Sequence, residues 1–279
     1  MYNKQMDLTS PSEIKNLLSK YNAKPSKGLG QNFLIDRNIL NKITEAADIK
    51  PGDIILEVGP GIGVLTIELA RKATQVIAVE KDGLMTEILK ETLAGYKNVE
   101  IIHGDALSLD ARTYKLNAKT YKLVANIPYY ITSPLIRKFL ELDNQPQDII
   151  LMVQKEVAQR ICAKPPNMSL LAVSVQFYAE PKIVSYVSKN CFYPAPKIDS
   201  AIIKIHPGGQ FNGANPDLFF KVAKAGFSHP RKQLAGNLAT GLKIKKEEAE
   251  KILLANKIDP KQRAETLSIE DWINLTKAC

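Results

Sequence analysis

Apolar and polar positions follow two different periods along the first half of the chain, and the two periods alternate. Continuous apolar runs predict strands at 54–58, 76–79, 99–102, 123–125 and 149–153. Runs of Val, Ile and Leu without in/out alternation are typical of strands buried on both faces of a parallel sheet. Segments with helical spacing lie between them, at 64–72, 83–94 and 133–140. This alternation predicts a doubly wound α/β sheet, mostly parallel, with helices on both faces and a ligand-binding edge at the carboxyl ends of its strands.

The second half of the chain loses this alternation and then becomes all-helical. The predicted elements before the change are a helix near 155–162, a segment at 170–180 that fits helix or strand and for which a helix is favoured, and strands at 182–187 and 200–205. Residues 206–216 are rich in Gly, Asn and Pro and form the best linker candidate. Helices are predicted beyond it, at 217–227, 231–239, 245–257 and 268–278. We therefore expect two domains, at 1–206 and 207–279.

A glycine-rich stretch, "ILEVGPGIGVLTIELA", runs from the first of the predicted strands into a helix. Gly59 and Gly61 let the backbone turn tightly and approach a ligand closely. A dinucleotide fingerprint requires a glycine at position 64, where this chain has Val64, and this argues against an NAD(P)-dependent oxidoreductase. The stretch fits instead the form E-x-G-x-G-x-G of methyltransferases, beginning at Glu57.

Two acidic residues follow the next two predicted strands. Glu80 ends the second strand and can accept hydrogen bonds from both hydroxyls of a ribose. Asp105 follows the third strand and can accept from an exocyclic amine such as that of adenine. Taken singly, each acid is more often a solvated turn residue. A glycine loop, a ribose acid and an adenine acid in this order predict S-adenosylmethionine as cofactor.

The fourth strand ends in "NIPYY", which begins at Asn126. An exocyclic amino group on a base is a poor nucleophile, and acceptors for its two N–H groups would help the nitrogen to attack a methyl donor. Asn126 Oδ1 and a carbonyl beside Pro128 could be those acceptors, and the ring of Tyr129 could stack on the base. The alternative is an Asn-x-Pro turn with core tyrosines. Because a predicted methyl-donor site precedes this motif in the chain, we favour a role in methylation of nitrogen.

The composition of the chain indicates which class of partner it binds and in which compartment it acts. The 279-residue chain has 38 Lys and Arg against 29 Asp and Glu, a net charge of +9, and this excess favours an anionic partner such as nucleic acid. Its three cysteines and three histidines share no metal-ligand spacing, so no metal and no disulfide framework is expected. The polar N-terminus does not read as a signal peptide, and no apolar run approaches the ~20 residues of a membrane span. We expect a cytoplasmic protein without a membrane partner, and a monomer.

These motifs together resemble the ribosomal RNA adenine dimethylase family, and within it the small-subunit rRNA adenine N6,N6-dimethyltransferases of the KsgA type. The matching stretches occur in the order of that family and cover roughly residues 20 to 240. They are "GLGQNFLID" (28–36), "EVGPGIG" (57–63), "VEKD" (79–82), "GDAL" (104–107), "NIPYYITSPL" (126–135), "MVQKEVAQRI" (152–161) and "CFYPAPKIDSAI" (191–202). The resemblance implies a Rossmann-like class I methyltransferase sheet followed by a small helical domain.

The resemblance also implies residue roles. The donor pocket would be formed by Asn32, Leu34, Gly59, Gly61, Glu80, Asp105 and Asn126. Phe192 would cover the face of the base opposite Tyr129, with Asn126 and Pro128 beside the amino group; from the sequence alone, Phe192 is equally a core aromatic. The helical domain would help to hold the ribosomal subunit. Residues 218–246 carry seven cations and no acid, and Lys221, Lys224, Arg231 and Lys232 are the predicted RNA contacts, the alternative being a solvated helical face.

The implied substrate is a pair of adjacent adenosines in a hairpin near the 3′ end of 16S rRNA. Both would be dimethylated in a partly assembled 30S subunit during biogenesis. The nearest alternative is the sister family that methylates an adenine of large-subunit (23S) rRNA and confers macrolide resistance. "GQNFL" and the long helical tail favour the small-subunit enzyme. A non-catalytic RNA-binding protein with the same fold is a further alternative, which the intact Asn126 motif and donor site disfavour.

Overall fold

Nine strands form two sheets in the computed structural model, which describes residues 6–26, 28–110, 116–118, 120–208 and 213–279. In chain order the strands are β1 (Phe33–Leu34), β2 (Ile54–Val58), β3 (Gln75–Glu80), β4 (Val99–His103), β5 (Tyr121–Asn126), β6 (Ile149–Gln154), β7 (Ala179–Val187), β8 (Phe192–Tyr193) and β9 (Ser200–Pro207). All seven strands predicted from the apolar runs are present. The short strands β1 and β8 were not predicted.

The large sheet has the strand order β4-β3-β2-β5-β6-β9-β7. Strands β2 to β6 pair in parallel, and β9 pairs antiparallel to β6. The chain leaves β2 toward β4 on one side and returns to β5 on the other, so the order of the strands reverses between β2 and β5. Ligands of open α/β sheets bind outside the carboxyl ends of strands at such a point. The predicted doubly wound, mostly parallel sheet is therefore confirmed.

Eleven α-helices lie within the described residues. They are α1 (Pro11–Lys20), α2 (Arg37–Ala47), α3 (Val64–Ala70), α4 (Gly83–Thr92), α5 (Thr132–Glu141), α6 (Lys155–Ile161), α7 (Leu170–Tyr178), α8 (Pro216–Gly226), α9 (Leu234–Leu242), α10 (Lys246–Ala255) and α11 (Ile269–Ala278). The ambiguous segment at 170–180 is mostly helix, as favoured. No described helix has both the length and the apolarity that crossing a membrane requires.

Two helices were absent from the sequence-based prediction. Helix α1 buries Ile14, Leu17 and Leu18, which recur at helical spacing. Helix α2 begins after Asp36, whose carboxylate accepts hydrogen bonds from the backbone N–H groups of the first turn. That side-chain cap is a recognisable start signal. Both helices precede the first long strand, β2.

Residues 159–181 and 208–279 form a second compact unit, while residues 1–158 and 182–207 form the first. Within the second unit the ring of Phe177 on α7 stacks on Phe219 of α8, with 3.9 Å between centroids. This aromatic contact explains why α7 groups with the C-terminal helices. The division at 206/207 stays a prediction for the functional domains, and residues 209–212 of the predicted linker lie outside the described residues.

One predicted helix boundary is wrong. Helix α9 begins at Leu234 and not at Arg231. The backbone N–H of Lys232 donates to the carbonyl of His229 at 2.9 Å, which closes a turn before the helix. Arg231 and Lys232 therefore lie in an exposed turn.

Candidate active site

A cleft opens at the carboxyl edge of the large sheet, beside β2 and β5. It encloses about 1010 Å³ when the open space at its mouth is included. Nine of the predicted site residues line it, namely Asn32, Leu34, Gly59, Gly61, Glu80, Asp105, Asn126, Pro128 and Tyr129. These residues come from five separate segments of the chain. The fold thus brings together the glycine loop, both acids and the "NIPYY" turn.

The glycine loop has a left-handed backbone at the positions that line the cleft. Gly59 has φ +69° and Gly61 has φ +60°, which side-chain-bearing residues rarely adopt. A Cβ on Gly61 would lie 3.1 Å from the ring of Phe33, and one on Gly59 would lie 3.5 Å from Pro128 Cδ. The missing side chains leave the backbone of this loop bare toward the cleft, as close approach of a ligand requires.

Glu80 joins the glycine loop to the end of β3. Its carboxylate accepts a hydrogen bond from the N–H of Gly61 at 3.0 Å and from the N–H of Asp82 at 2.9 Å. Burial raises the pKa of Glu80 above its ordinary value, and the two backbone hydrogen bonds oppose that rise. Each carboxylate oxygen has more than one lone pair. Glu80 can therefore accept further hydrogen bonds from hydroxyl groups of a ligand.

Glu57 is a buried acid at the base of the same loop, and sequence reasoning used it only as part of the glycine motif. It is 1% exposed and lines the cleft, and its Oε2 has no hydrogen-bond partner among the described residues. Burial raises the pKa of Glu57 to about 8, against the smaller opposing effect of the Thr66 hydroxyl. A buried acceptor without a donor costs free energy. A ligand that brings an ammonium or hydroxyl group to this corner would satisfy it.

Asp105 lies in the turn after β4, in contact with a residue that was not predicted. Lys81 Nζ donates to its Oδ2 at 2.8 Å, and the N–H of Leu107 donates to its Oδ1 at 2.9 Å. The Lys81 ammonium, followed by the Leu107 hydrogen bond, lowers the pKa of Asp105. The carboxylate is therefore ionised at neutral pH and is an acceptor for a ligand amine.

The side-chain amide of Asn126 is oriented by the segment before β1. Its Nδ2 donates to the backbone carbonyl of Asn32 at 3.2 Å, which leaves Oδ1 as an acceptor. Asn32 in turn donates from its own Nδ2 to the carbonyl of Gly30 at 2.9 Å. A Cβ on Gly30 would lie 3.4 Å from Pro128 Cβ, so this segment lies directly against the "NIPYY" turn. The motifs "GQNFL" and "NIPYY" thus form one wall of the cleft.

Both the backbone carbonyl and the side-chain hydroxyl of Tyr129 are hydrogen-bonded. The hydroxyl of Thr132 donates to the Tyr129 carbonyl at 3.0 Å, and the Tyr129 hydroxyl lies 2.6 Å from Ser200 Oγ. Burial raises the pKa of the Tyr129 phenol, so it is protonated at neutral pH. Ser200 was not predicted, because nothing in the local pattern of its strand distinguishes it from a core position. The next ring, Tyr130, is 56% exposed.

Phe192 does not line the cleft with the other predicted residues. It is 3% exposed, belongs to the hydrophobic core and pairs with Leu34 across the antiparallel strands β8 and β1. In the structure, Phe192 is therefore an aromatic residue of the hydrophobic core. Its stacking on the base stays a prediction.

The predicted RNA-contacting residues are all exposed. Lys221 and Lys224 lie on α8, and Arg231 and Lys232 lie in the turn before α9. Across the described ranges, no group of three or more His, Cys, Asp and Glu side chains is arranged to hold a metal ion. A reaction without a metal stays a prediction.

Proteins with known sequences and structures resemble the whole chain. A family model described as "Ribosomal RNA adenine dimethylase" matches residues 22–278. A protein of Dehalococcoides mccartyi named "Ribosomal RNA small subunit methyltransferase A" is 47% identical over 266 residues, covering 95% of this chain and 91% of its own. A protein of Clostridioides difficile with the same name is 44% identical over 272 residues, covering 95% and 94%.

Solved structures agree with these sequence relatives. A dimethyladenosine transferase from Plasmodium falciparum has a TM-score of 0.75 at 30% identity and covers 87% of this chain and 95% of its own. The 23S rRNA methyltransferase ErmE has a TM-score of 0.71 at 27% identity and covers 88% and 99%. The predicted class I methyltransferase fold is confirmed, and family and fold imply S-adenosylmethionine as the methyl donor. The chain belongs to the ribosomal RNA adenine dimethylase family.

Proposed function

We propose that this protein dimethylates the N6 amino groups of two adjacent adenosines in a hairpin near the 3′ end of 16S rRNA. The substrate is a partly assembled 30S subunit, and the protein acts as a monomer, without a metal, in the cytoplasm where subunits assemble. The observation that carries the chemistry is the orientation of Asn126. With its Nδ2 engaged by Asn32, its Oδ1 is an acceptor at the cleft beside the half-buried ring of Tyr129.

The donor half of the cleft fits S-adenosylmethionine on several independent features. Glu80 offers carboxylate lone pairs to the ribose, and Asp105 offers its carboxylate to the adenine amine. The orphaned Oε2 of Glu57 suits the ammonium of the amino-acid portion. Gly59 and Gly61 place no side chain of their own between the loop backbone and the ligand, and Asn32 and Leu34 also line the pocket. When bound, this cofactor supplies an electrophilic methyl group on a sulfonium.

The acceptor half of the cleft suits an amino group attached to a flat ring. Asn126 Oδ1 accepts one N–H of the adenine amine. The carbonyl of Pro128 is directed into the 3-10 turn, where it accepts from the N–H of Ile131 at 3.1 Å, and we assign the second acceptor to the neighbouring carbonyl of Ile127. Both acceptors favour the positive charge that develops on the nitrogen as it attacks the methyl group.

Stacking holds the base in this position. The Tyr129 ring forms one face of the base site, and an adenine must leave its helical stack to reach it. Phe192 is the proposed second face. Because its ring is buried, this role requires β8 and the residues after it to shift when RNA binds.

The choice of the small subunit rests on the relatives. Those named for small-subunit methylation are 40–47% identical and cover most of both chains. The ErmE structure supports methylation of 23S rRNA as the second candidate, at 27% identity. The exposed cations Lys221, Lys224, Arg231 and Lys232 are proposed to contact RNA phosphates in either case.

The decisive experiment measures methyl incorporation from labelled S-adenosylmethionine into undermethylated 30S subunits, with 50S subunits and an Asn126→Ala variant alongside. We expect N6,N6-dimethyladenosine in the 30S rRNA, lost in the variant. Label confined to 50S subunits would favour the second candidate. No label in either, in a protein that binds the donor, would refute both RNA substrates.

A further inference from the structure

Ser200 is a fully buried hydroxyl at the start of an apolar strand. It is 0% exposed, and the residues that follow it on β9, Ala201 and Ile202, are equally buried. A polar group in such a place destabilises the fold unless it is hydrogen-bonded. Its hydrogen bond goes to the hydroxyl of Tyr129, at 2.6 Å. The polar residue on β9 is thus explained by a residue of the active-site turn.

The position of Ser200 is itself fixed by the sheet. Its Cα pairs with Gln154 at the carboxyl end of β6. The next residue, Lys155, donates its backbone N–H to the carbonyl of Asp199 at 3.1 Å. Ser200 Oγ is therefore a hydrogen-bond partner on rigid backbone, at the edge of the sheet where the cleft opens.

Tyr129, in contrast, lies in a single 3-10 turn, Tyr129–Ile131, that has no buried residue. The turn is restrained by the Thr132 hydroxyl at the Tyr129 carbonyl. That contact holds the backbone and leaves the side-chain torsions of Tyr129 free. The hydrogen bond at the far end of the ring, to Ser200, anchors the phenolic oxygen, and this restrains χ1 and so the direction in which the ring extends.

We propose that Ser200 is a positioning residue, which fixes the direction of the Tyr129 ring on which the target adenine stacks. The inference rests on the proposed function, since it concerns the base site of that reaction. With the ring fixed, a stacked adenine presents its amino group to Asn126. With the ring free to change direction, the base still binds but its amino group is misplaced for methyl transfer, and misplacement by an ångström lowers the rate.

The pair is neutral, so its effect is geometric. Burial keeps the Tyr129 phenol protonated, and a serine hydroxyl carries no charge. Ser200 therefore neither moves a proton nor stabilises charge in the reaction. It connects the motif "NIPYY" to the end of the motif "CFYPAPKIDSAI".

The test is a double-mutant cycle on undermethylated 30S subunits with Ser200→Ala, Tyr129→Phe and the double variant. The Phe variant keeps the ring and removes only its hydroxyl. We expect each single variant to lower kcat roughly three- to tenfold, the range of one net hydrogen bond, with KM changed far less. KM reflects binding of the whole subunit through many contacts. The double variant should be no worse than either single one.

Ser185→Ala is the matched control, because Ser185 lies on the neighbouring strand β7 and its hydroxyl contacts the exposed Lys42 at 3.2 Å. It should leave kcat unchanged. Melting temperatures of all variants separate a loss of fold from a loss of position. A Ser200→Ala variant with lower melting temperature and unaltered kcat would reduce Ser200 to a core hydrogen bond, and additive effects in the double variant would also overturn the proposal.

A second readout does not depend on the RNA substrate. In protein labelled with 3-fluorotyrosine, the 19F resonance that Tyr129→Phe removes is assigned to Tyr129. We expect Ser200→Ala to shift and sharpen that resonance, as a ring with more motion does, and Ser185→Ala to leave it in place. If wild-type protein methylates neither subunit, the proposed function fails while this spectrum still decides whether Ser200 orders the ring. An unchanged resonance would overturn the inference.

Discussion

The side-chain amide of Asn126 donates to the backbone carbonyl of Asn32 across 3.2 Å, although 94 residues separate the two in the chain. An amide has one acceptor atom and one donor nitrogen, so this single contact decides which of them faces the cleft. Here the donor is turned toward Asn32 and the acceptor remains for a substrate amine. The segment before β1 thus sets the orientation of the group that we propose as the acceptor of the adenine N–H.

The first prediction concerns this orientation. Asn126→Ala removes the acceptor, and Asn126→Asp replaces the donor by a carboxylate oxygen that faces the Asn32 carbonyl. We expect kcat to fall by about 10²–10³ in both, the usual cost of losing one preorganised hydrogen-bond partner of a transition state. The rate of methyl incorporation into 30S subunits measures kcat of both variants. Asn41→Ala, at an exposed position of α2, should leave kcat unchanged.

The second prediction concerns the Lys81–Asp105 pair. Asp105→Ala should weaken donor binding by roughly 10- to 100-fold, because a hydrogen bond to a charged acceptor is lost. Lys81→Ala should change the pH dependence of donor affinity. An ionised Asp105 carboxylate would accept from the adenine amine more strongly than the protonated acid, so affinity should fall as the pH drops through the pKa of Asp105. Lys81 lowers that pKa, so without Lys81 the fall should begin at higher pH.

Calorimetric titrations with S-adenosylmethionine between about pH 4 and 7 would measure this displacement. Exposed Lys90, which pairs with Glu87 on α4, offers a control cation, and Lys90→Ala should leave the pH profile in place. A Lys81→Ala profile that superimposes on wild type would contradict an influence of this lysine on donor binding.

The third prediction concerns Glu57, whose pKa burial raises from 4.5 to about 8 in the folded protein. Between those values the unfolded chain loses the Glu57 proton while the folded protein keeps it. The free energy of unfolding therefore decreases as the pH rises through this window. Glu57→Gln mimics the neutral acid and removes the decrease. The variant should gain melting temperature over wild type progressively from about pH 5 to about pH 8.

Thermal unfolding without donor would test this, with Glu100→Gln as a control at an exposed position of the neighbouring strand β4. The control variant should show a difference from wild type that does not grow with pH. A Glu57→Gln variant that loses stability equally at every pH would mean that Glu57 is ionised in the free protein.

Much of the fold could be predicted because its signals are local. The run at 54–58 was predicted as a strand and is β2, Ile54–Val58, and the helix after the glycine loop begins at Val64 as expected. Glu80 and Asp105 could be predicted for the same reason, since each follows a strand of a parallel sheet. Helix α2 also has a local start signal in the sequence, the Asp36 cap.

The rest of the site depends on pairs that no local pattern reports. Tyr129 meets Ser200 across 71 residues, and Leu34 faces Phe192 across two strands too short for any periodicity. The position of the Phe192 ring could not be predicted from the sequence, because a proline-rich entry to a strand is compatible both with a ring that stacks on a base and with a ring buried in the core. Its burial depends on β1, a strand that the sequence did not indicate.

The fourth prediction concerns two helices of the second unit that approach closely. A Cβ on Gly241 would lie 2.4 Å from Ala225 Cβ and 2.7 Å from its Cα, so backbone would have to move. Gly241→Ala should cost about 1–3 kcal/mol of unfolding free energy through overpacking. Gly236→Ala on the same helix meets nothing within 4 Å and should gain up to ~1 kcal/mol from helix propensity. Urea unfolding of both variants would measure the contrast, and equal effects would contradict the close approach.

The fifth prediction concerns the exposed cations of α8. Replacing Lys221 and Lys224 together by Gln should weaken binding to 30S subunits and flatten its salt dependence. Two lost phosphate contacts reduce the slope of log K against log salt by roughly 1.4–1.8. Lys251→Gln is the matched control, because Lys251 is equally exposed on α10 but lies outside the acid-free stretch at 218–246. Binding to 30S subunits is measured at several salt concentrations. If Lys221 and Lys224 only form a solvated helical face, wild type and both variants should share the same slope. If they contact phosphates, the double variant alone should have a smaller slope.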